Sequence, residues 1–466
     1  MAISWTSAAS YPGWLTSPAT PSTFPVLRGR SYNTDSMIER ISPAQRVHGI
    51  VNAPGDKSIS HRYAMLTSIA QGDSEIYNFS SGADCQSTLS CMETLGIRYE
   101  FGEEDGRRVL TVHGRGTRGL QAPIRFLDAG NSGSTIRMLS GILAAQPFTT
   151  EISGDSSLAK RPMKRIMAPL SEMGARIDAI NDQFPPLTIY GSPLHSIDYT
   201  LPVPSAQVKS CVLLAGLYAN GETVVREPTV TRDHTEIALA ELGADITIEP
   251  RAVRINGGAT LSAKRLVVPG DISSAAFFLV AALLVREADL TITNVGLNPT
   301  RTALLDLLRS MGAPIKVLHI EQINGELLGN LQIKSSRIRG GVIEGAATAA
   351  LIDEIPILSV LGALSEEGLI VRNAAELRVK ETDRIETIAG NLRRMGVNVT
   401  TTQDGLEIPG RQKLHPAEIH SHGDHRIAMA FSVAALASGG DCLIHDAEAA
   451  SVSFPEFFET LRQIAH

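Results

Sequence analysis

Ala53 to Arg62 reads APGDKSISHR. Pro54 and Gly55 make a turn, Lys57 and Ser58 open a helix, and Arg62 follows about one turn later. An ammonium, a hydroxyl, a guanidinium and free N–H groups at a helix start suit a phosphate or a carboxylate. Leu377 to Ile388, LRVKETDRIETI, sets Lys380 and Arg384 four apart, which predicts a shared helix face. Glu381 stands three before Arg384, which predicts an ion pair. Gly423 to Phe431, GDHRIAMAF, puts His425 and Arg426 ahead of an apolar helix. Gly130 to Arg137, GNSGSTIR, is a Gly/Ser-rich helix start with Arg137 one turn in. It lacks the Lys and the spacing of a P-loop, which excludes nucleotide hydrolysis. SLAKRPM at Ser157–Met163, PSAQVKS at Pro204–Ser210, TRDHT at Thr231–Thr235 and the acidic pair Asp353–Glu354 complete the set. Taken singly, each is also an ordinary capped or solvated helix end, and a lone histidine is more often structural than catalytic.

The elements that must position these residues recur. Six copies of one unit run Gly55–Asn78, Gly133–Gly154, Ser205–Glu227, Ser273–Asn294, Glu354–Asn373 and Asp424–Asp446. Each opens with small or polar residues, continues as an apolar helical run of about four turns, and ends in a turn and a short β-branched strand. Between them a helix end, a Gly and a strand recur at LGIRYE, MGARID, LGADITI, MGAPIKV and MGVNVTT, from Leu95, Met173, Leu242, Met311 and Met395. That Gly suits a helix C′ position with positive φ.

A period of about 70 residues with two helices and several strands is a duplicated α/β subdomain, three per domain, and too long for a solenoid repeat. The apolar helices should be buried, with sheets outside them. The chain would cross between domains before Lys57 and near Asp271. One domain would then combine 38–55 with 270–466, and the other would span 56–269. A helix N-terminus carries unpaired N–H groups and about half a positive charge. Parallel helices would bring six such ends to one cleft.

Composition sets the limits. The 466 residues exceed one ordinary core, so two large domains are the default. A net charge of −7 argues against nucleic-acid binding and requires any basic site to be local. Cys85, Cys91, Cys211 and Cys442 are scattered, which reads as reduced thiols rather than a metal site. No long apolar run predicts a membrane span, and Ala275–Val285 reads as a buried helix. Residues 1–37 are Ser-, Thr- and Pro-rich and read as a disordered tail. An organelle transit peptide, or an upstream start with Met37 opening the folded part, would give the same composition.

The motifs PGDKSISHR, GNSGST, KRP, LRVKETDR and DHRIAM, in this order, resemble the 5-enolpyruvylshikimate-3-phosphate synthase family of enolpyruvyl transferases. The resemblance covers nearly everything after about residue 40 and implies two similar domains of three βαβαββ units each, an inside-out α/β barrel with buried parallel helices. It implies transfer of the enolpyruvyl group of phosphoenolpyruvate to the 5-hydroxyl of shikimate 3-phosphate, with release of phosphate and no metal or organic cofactor. By that similarity Lys57, Asn131, Gly133, Arg161, Gln207, Arg384 and Arg426 would hold phosphoenolpyruvate. Ser58, Arg62, Ser205, Ala206, Gln207, Arg232, Asp353 and Lys380 would hold shikimate 3-phosphate. Glu381 would be the proton donor and Asp353 the base, with Lys57 stabilising charge. The resemblance also implies small-molecule partners only, a monomer, and a cytoplasmic location, or a plastid one if the tail is a transit peptide.

The chain departs from the pattern at Val452, where some members carry a basic residue; at Glu376, often Asn; and at Ala206, often Ser. Gly133 leaves the space that in some members a larger residue closes to glyphosate, which predicts at least partial sensitivity. The sister transferase acting on a UDP-sugar usually has a reactive Cys before its Arg-Pro, where this chain has Ser156. A binding paralogue without chemistry would not need Asp353 and Glu381 together.

Overall fold

The computed structural model describes residues 37–466, and the tail over 1–37 lies outside that range apart from Met37. Two hydrophobic cores form. One gathers side chains from Ile59 to Val268, the other those of Ile41 to Ala53 together with Ile272 to Ile464.

Six apolar helices lie at the centres of these cores: α1 (Lys57–Ser68), α2 (Gly133–Leu143), α3 (Ala206–Gly216), α4 (Ile272–Leu284), α5 (Ile355–Leu364) and α6 (His425–Leu436). They run 10 to 13 residues, about three turns rather than the expected four. Their N-caps, rather than the small residues before them, set where each begins. Side chains of Asp56, Ser132, Ser205, Asp271 and Asp424 accept backbone N–H groups of the first turn.

Among the described residues five of the central helices each belong to one βαβαββ unit, and α6 has a three-stranded version of it. In the second unit Leu127–Asp128 pairs in parallel with Thr149–Ser153 around α2. The helix Lys164–Glu172 then leads to the antiparallel strands Arg176–Ile180 and Phe184–Tyr190. Five such four-stranded sheets and one three-stranded sheet cover the helices from outside. In two units the first strand comes from far along the chain: Arg265–Val267 pairs with Gln71–Tyr77, and Arg46–Asn52 with Glu287–Gly296.

The Gly positions read as helix ends take φ values of +90° at Gly96, +97° at Gly174, +90° at Gly243, +100° at Gly312 and +79° at Gly396. At each, the next residue's N–H reaches back across the last turn, as Ile97 does to the Met92 carbonyl at 3.0 Å. This is the Schellman closure, which needs a residue at ease with positive φ.

The chain passes between the two cores twice, side by side. Asp56 N–H bonds to the Pro269 carbonyl at 2.8 Å and Asp271 N–H to the Pro54 carbonyl at 2.7 Å, around an antiparallel bridge between Gly55 and Gly270. A Cβ on Gly55 would stand 1.8 Å from the Asn78 carbonyl oxygen, so only glycine fits this crossing. No helix among the described residues is long and apolar enough to cross a membrane.

Candidate active site

All six central helices start at one cleft of about 1190 Å³. Each start contributes lining residues: Lys57 and Ser58, Gly133 and Ser134, Ser205 to Val208, Asp271 and Ser273, Asp353, and His425 with Arg426. Asn131, Arg161, Arg232, Lys380, Glu381 and Arg384 complete the charged wall, with Arg62 behind Ser58. One expectation fails locally. Lys380 and Arg384 do not share a helix face, because Asp383 caps a helix that begins only at Arg384. Leu377 to Val379 lie in a short 3-10 turn, and Lys380 follows it in extended conformation. Both side chains still reach the cleft.

The two carboxylates are gripped from both walls. Asp353 Oδ2 accepts from Arg232 Nη2 at 2.7 Å across the cleft. Its Oδ1 lies 3.7 Å from Lys380 Nζ and 3.9 Å from Arg384 Nη1. Arg426 Nη1 donates to the Asp353 carbonyl at 2.8 Å. Burial opposes ionisation of Asp353, but Lys380, Arg426, Arg232 and Arg384 outweigh it and hold the carboxyl well below its usual range. Glu381 Oε2 accepts from Arg384 Nη2 at 2.6 Å, and its Oε1 lies 3.7 Å from Arg161 Nη1 on the facing wall. Burial again resists, and Arg384 and Arg161 again win, so Glu381 is held well below its ordinary value.

Arg384 is 1% exposed. Asp424, the cap of α6, takes its Nε at 2.8 Å and its Nη2 at 3.1 Å. That fork fixes the guanidinium plane and leaves Nη1 facing Asp353. Arg161 is aimed by Asn131 Oδ1 at 2.8 Å and Ser157 Oγ at 3.0 Å, and its buried Nε has no partner among the described residues. Lys57 Nζ donates to Asp84 at 2.9 Å. Burial would lower this ammonium, but Asp84 more than compensates and its pKa is raised. Lys380 has the opposite balance, with burial outweighing Asp353 and lowering it. Arg62 is tied to Thr235 at 2.6 Å, Ser210 at 2.9 Å and the Ser58 carbonyl at 2.8 Å. Burial pushes it down to about 10.

The sequence reading named His425, Arg137 and Glu376 without giving them a place in the cleft. His425 is 2% exposed, and neither ring nitrogen has a hydrogen-bond partner among the described residues. Burial, reinforced by Lys57, holds it well below the usual imidazole value, so it is neutral. Its neighbour Arg426 was the available signal. Arg137 Nη1 donates to Gln207 Oε1 at 2.9 Å, and Gln207 passes the chain on to Ser134 Oγ at 3.0 Å. A Cβ on Gly133 would stand 2.7 Å from Arg137 Nη1. Glu376, unusual in its motif, pairs with Arg165 across the cleft at 2.6 Å. Val452 does not line the cleft; its carbonyl packs against Gly82. Lys209 of PSAQVKS points away, fully buried between Glu227 at 2.8 Å and Glu236 at 2.5 Å.

The cleft is therefore built to hold small polyanions between two walls, with two carboxylates inside reach of the bound groups. Comparison with known proteins agrees. The family model for EPSP synthase (3-phosphoshikimate 1-carboxyvinyltransferase) matches residues 41–461. The 3-phosphoshikimate 1-carboxyvinyltransferase of Solibacter usitatus is 62% identical over 92% of this chain and 100% of its own length. That of Koribacter versatilis is 52% identical over 91% and 98%. An EPSP synthase from Acinetobacter baumannii superposes with a TM-score of 0.81 at 42% identity, covering 92% of this chain and 98% of that one. The enolpyruvyl transferase NikO from Streptomyces tendae shares the fold at a TM-score of 0.76 and 17% identity, over 92% and 97% of the two chains. Motifs, cleft and relatives converge on one conclusion: this chain belongs to the EPSP synthase family.

Proposed function

We propose that this chain transfers the enolpyruvyl group of phosphoenolpyruvate to the 5-hydroxyl of shikimate 3-phosphate, and that Asp353 and Glu381 divide the proton work. The observation that carries this reading is the pair of carboxylates held ionised between arginines of opposite walls. A binding site for anions has no use for buried negative charge. A site that must move protons does.

In this reading Lys57, Arg161, Arg384 and Arg426 hold the carboxylate and phosphate of phosphoenolpyruvate, with Asn131, Gly133 and Gln207 beside them. Ser58, Arg62, Ser205, Ala206, Arg232 and Lys380 hold the sugar phosphate and its hydroxyls. Asp353 takes the proton of the attacking hydroxyl, which its depressed pKa permits because it is ionised before substrate arrives. Adding that oxygen across the double bond needs a proton on the methylene carbon. Expelling phosphate and restoring the vinyl group removes one again.

Glu381 is held ionised by Arg384 and Arg161 and cannot donate as it stands. Bound phosphoenolpyruvate supplies the remedy. Its anionic groups compete for Arg384 and Arg161, withdraw the charge that stabilises the Glu381 carboxylate, and raise its pKa. The acid is thus loaded by its own substrate. Lys57, kept charged by Asp84, stabilises the charge that develops as phosphate leaves.

The working unit in this reading is one chain, since both walls of the cleft come from the same molecule. The test is phosphate release from the purified protein given both substrates. Tight binding of both with no release would make it a binding paralogue. Near-normal turnover of both Asp353→Ala and Glu381→Ala would end the assignment of roles.

A further inference from the structure

Outside the cleft, one cluster of metal-ligating side chains stands out among the described residues. Strands Glu418–His420 and Cys442–His445 run in parallel, with His420 beside His445 in register. Side chains two apart on a strand point to one face, so Glu418 and His420 point together. His445 joins them from the neighbouring strand, about 4.8 Å away. The two imidazoles stack with centroids 4.5 Å apart and planes 14° from parallel. His445 Nε2 is shielded from solvent, has no hydrogen-bond partner among the described residues, and lies 3.4 Å from Glu418 Oε2. One ligand atom from each of the three residues lies within 4.8 Å of the others.

We propose that Glu418, His420 and His445 form a binding site for one divalent transition ion of the Zn2+ type. Two imidazole nitrogens and a carboxylate oxygen suit zinc and its neighbours, whereas magnesium and calcium favour all-oxygen sets. Bonds of about 2.0–2.2 Å in a tetrahedral set put ligand atoms about 3.4 Å apart. His445 Nε2 and Glu418 Oε2 already stand at that spacing, and the two stacked rings must turn toward each other for both to face one ion, a movement of up to about 1.4 Å that side-chain torsions allow. The fourth position is open to water or to His422, whose ring stacks on His420 at 5.9 Å. Three protein ligands near the positive charge of Arg394 give a site of micromolar class, well short of a closed structural zinc.

The ion takes no part in enolpyruvyl transfer. It braces the base of a turn. From His420 the chain passes through Ser421 and Gly423 to Asp424, the residue that clamps Arg384. Holding the two strands together fixes the stem from which that clamp projects.

The test is calorimetric titration of the chelator-treated whole protein with ZnCl2, with unfolding temperature followed in parallel. The expected result is one Zn2+ per chain at micromolar affinity and a higher unfolding temperature with Zn2+. Binding should weaken at least tenfold in Glu418→Gln and vanish in His420→Ala/His445→Ala. The Glu418 carboxylate is exposed, so metal-free Glu418→Gln should unfold at the wild-type temperature, whereas the double variant also removes the shielded, stacked ring of His445. If the double variant misfolds, Glu418→Gln, which alters only an exposed carboxylate, decides alone. No stoichiometric Zn2+ binding by the wild type, or unchanged binding in these variants, overturns the proposal.

Discussion

Arg232 Nη2 and Asp353 Oδ2 meet at 2.7 Å from opposite walls of the cleft, and the same carboxylate faces Lys380 and Arg384 on its own wall. The carboxylate proposed as the base and the cation that faces it therefore belong to different halves. Asp353→Asn should keep the shape and lose the charge. We expect kcat to fall about 10²- to 10⁴-fold, with the KM for phosphoenolpyruvate changed far less. Steady-state phosphate release, varied in each substrate, measures this.

Arg232→Gln removes the other partner. A charge-assisted hydrogen bond is worth about 1.5–3 kcal/mol. The KM for shikimate 3-phosphate should accordingly rise about 10- to 100-fold. A variant that lost kcat with an unchanged KM for that substrate would remove Arg232 from its binding.

Acid should act through the same carboxylates. Asp353 and Glu381 have folded-state pKa values well below their ordinary 3.8 and 4.5. Groups lowered by folding contribute stability that is fully present above the ordinary value and is lost as pH falls through the folded one. Wild-type stability from this source is thus constant through neutrality and drains away only below about pH 4. In Asp353→Asn the acid limb should be shallower. Urea unfolding between pH 3 and pH 7 gives the comparison.

At Gly133 the added methyl would collide with Arg137 Nη1, a movable group, so Gly133→Ala should fold normally. The guanidinium must swing away and release Gln207. We expect the wild type to be inhibited by glyphosate and the variant to need at least about tenfold more inhibitor, with a raised KM for phosphoenolpyruvate, by analogy to a lost polar contact. Turnover of the wild type unaffected at millimolar glyphosate would refute this.

Lys209 offers a stability test away from the chemistry. Its ammonium is fully buried between Glu227 and Glu236. Lys209→Met strands two buried carboxylates and should cost about 3–5 kcal/mol. A loss under about 1 kcal/mol in chemical denaturation would show that water or protons replace the lysine at little cost.

The sequence was most legible where one residue carries one physical demand. Gly96, Gly174, Gly243, Gly312 and Gly396 announced five helix ends because little else tolerates their φ. Lys57 and Arg426 announced a cleft because the repeat gave their helices a common direction. Contacts made far along the chain were illegible. Nothing near Glu376 names Arg165, 211 positions away, as its partner. His425 looked structural because its burial depends on the facing wall. Lys209 shares a motif with the cleft residues Ser205, Ala206 and Gln207, yet helix periodicity turns it inward. The shared helix face expected of Lys380 and Arg384 came from weighing charge spacing above the cap at Asp383.

The paired crossing at Gly55 and Gly270 has a mechanical consequence. Two bodies joined by one strand can swivel and twist about it. Joined by two adjacent strands tied by hydrogen bonds, they can fold only about the line through both. Any motion of one half against the other at this joint would favour one axis, and the walls would then meet in the same register. Arg161 and Glu381, or Arg232 and Asp353, need no search to find each other: the joint behaves as a door on two hinges, not a ball in a socket.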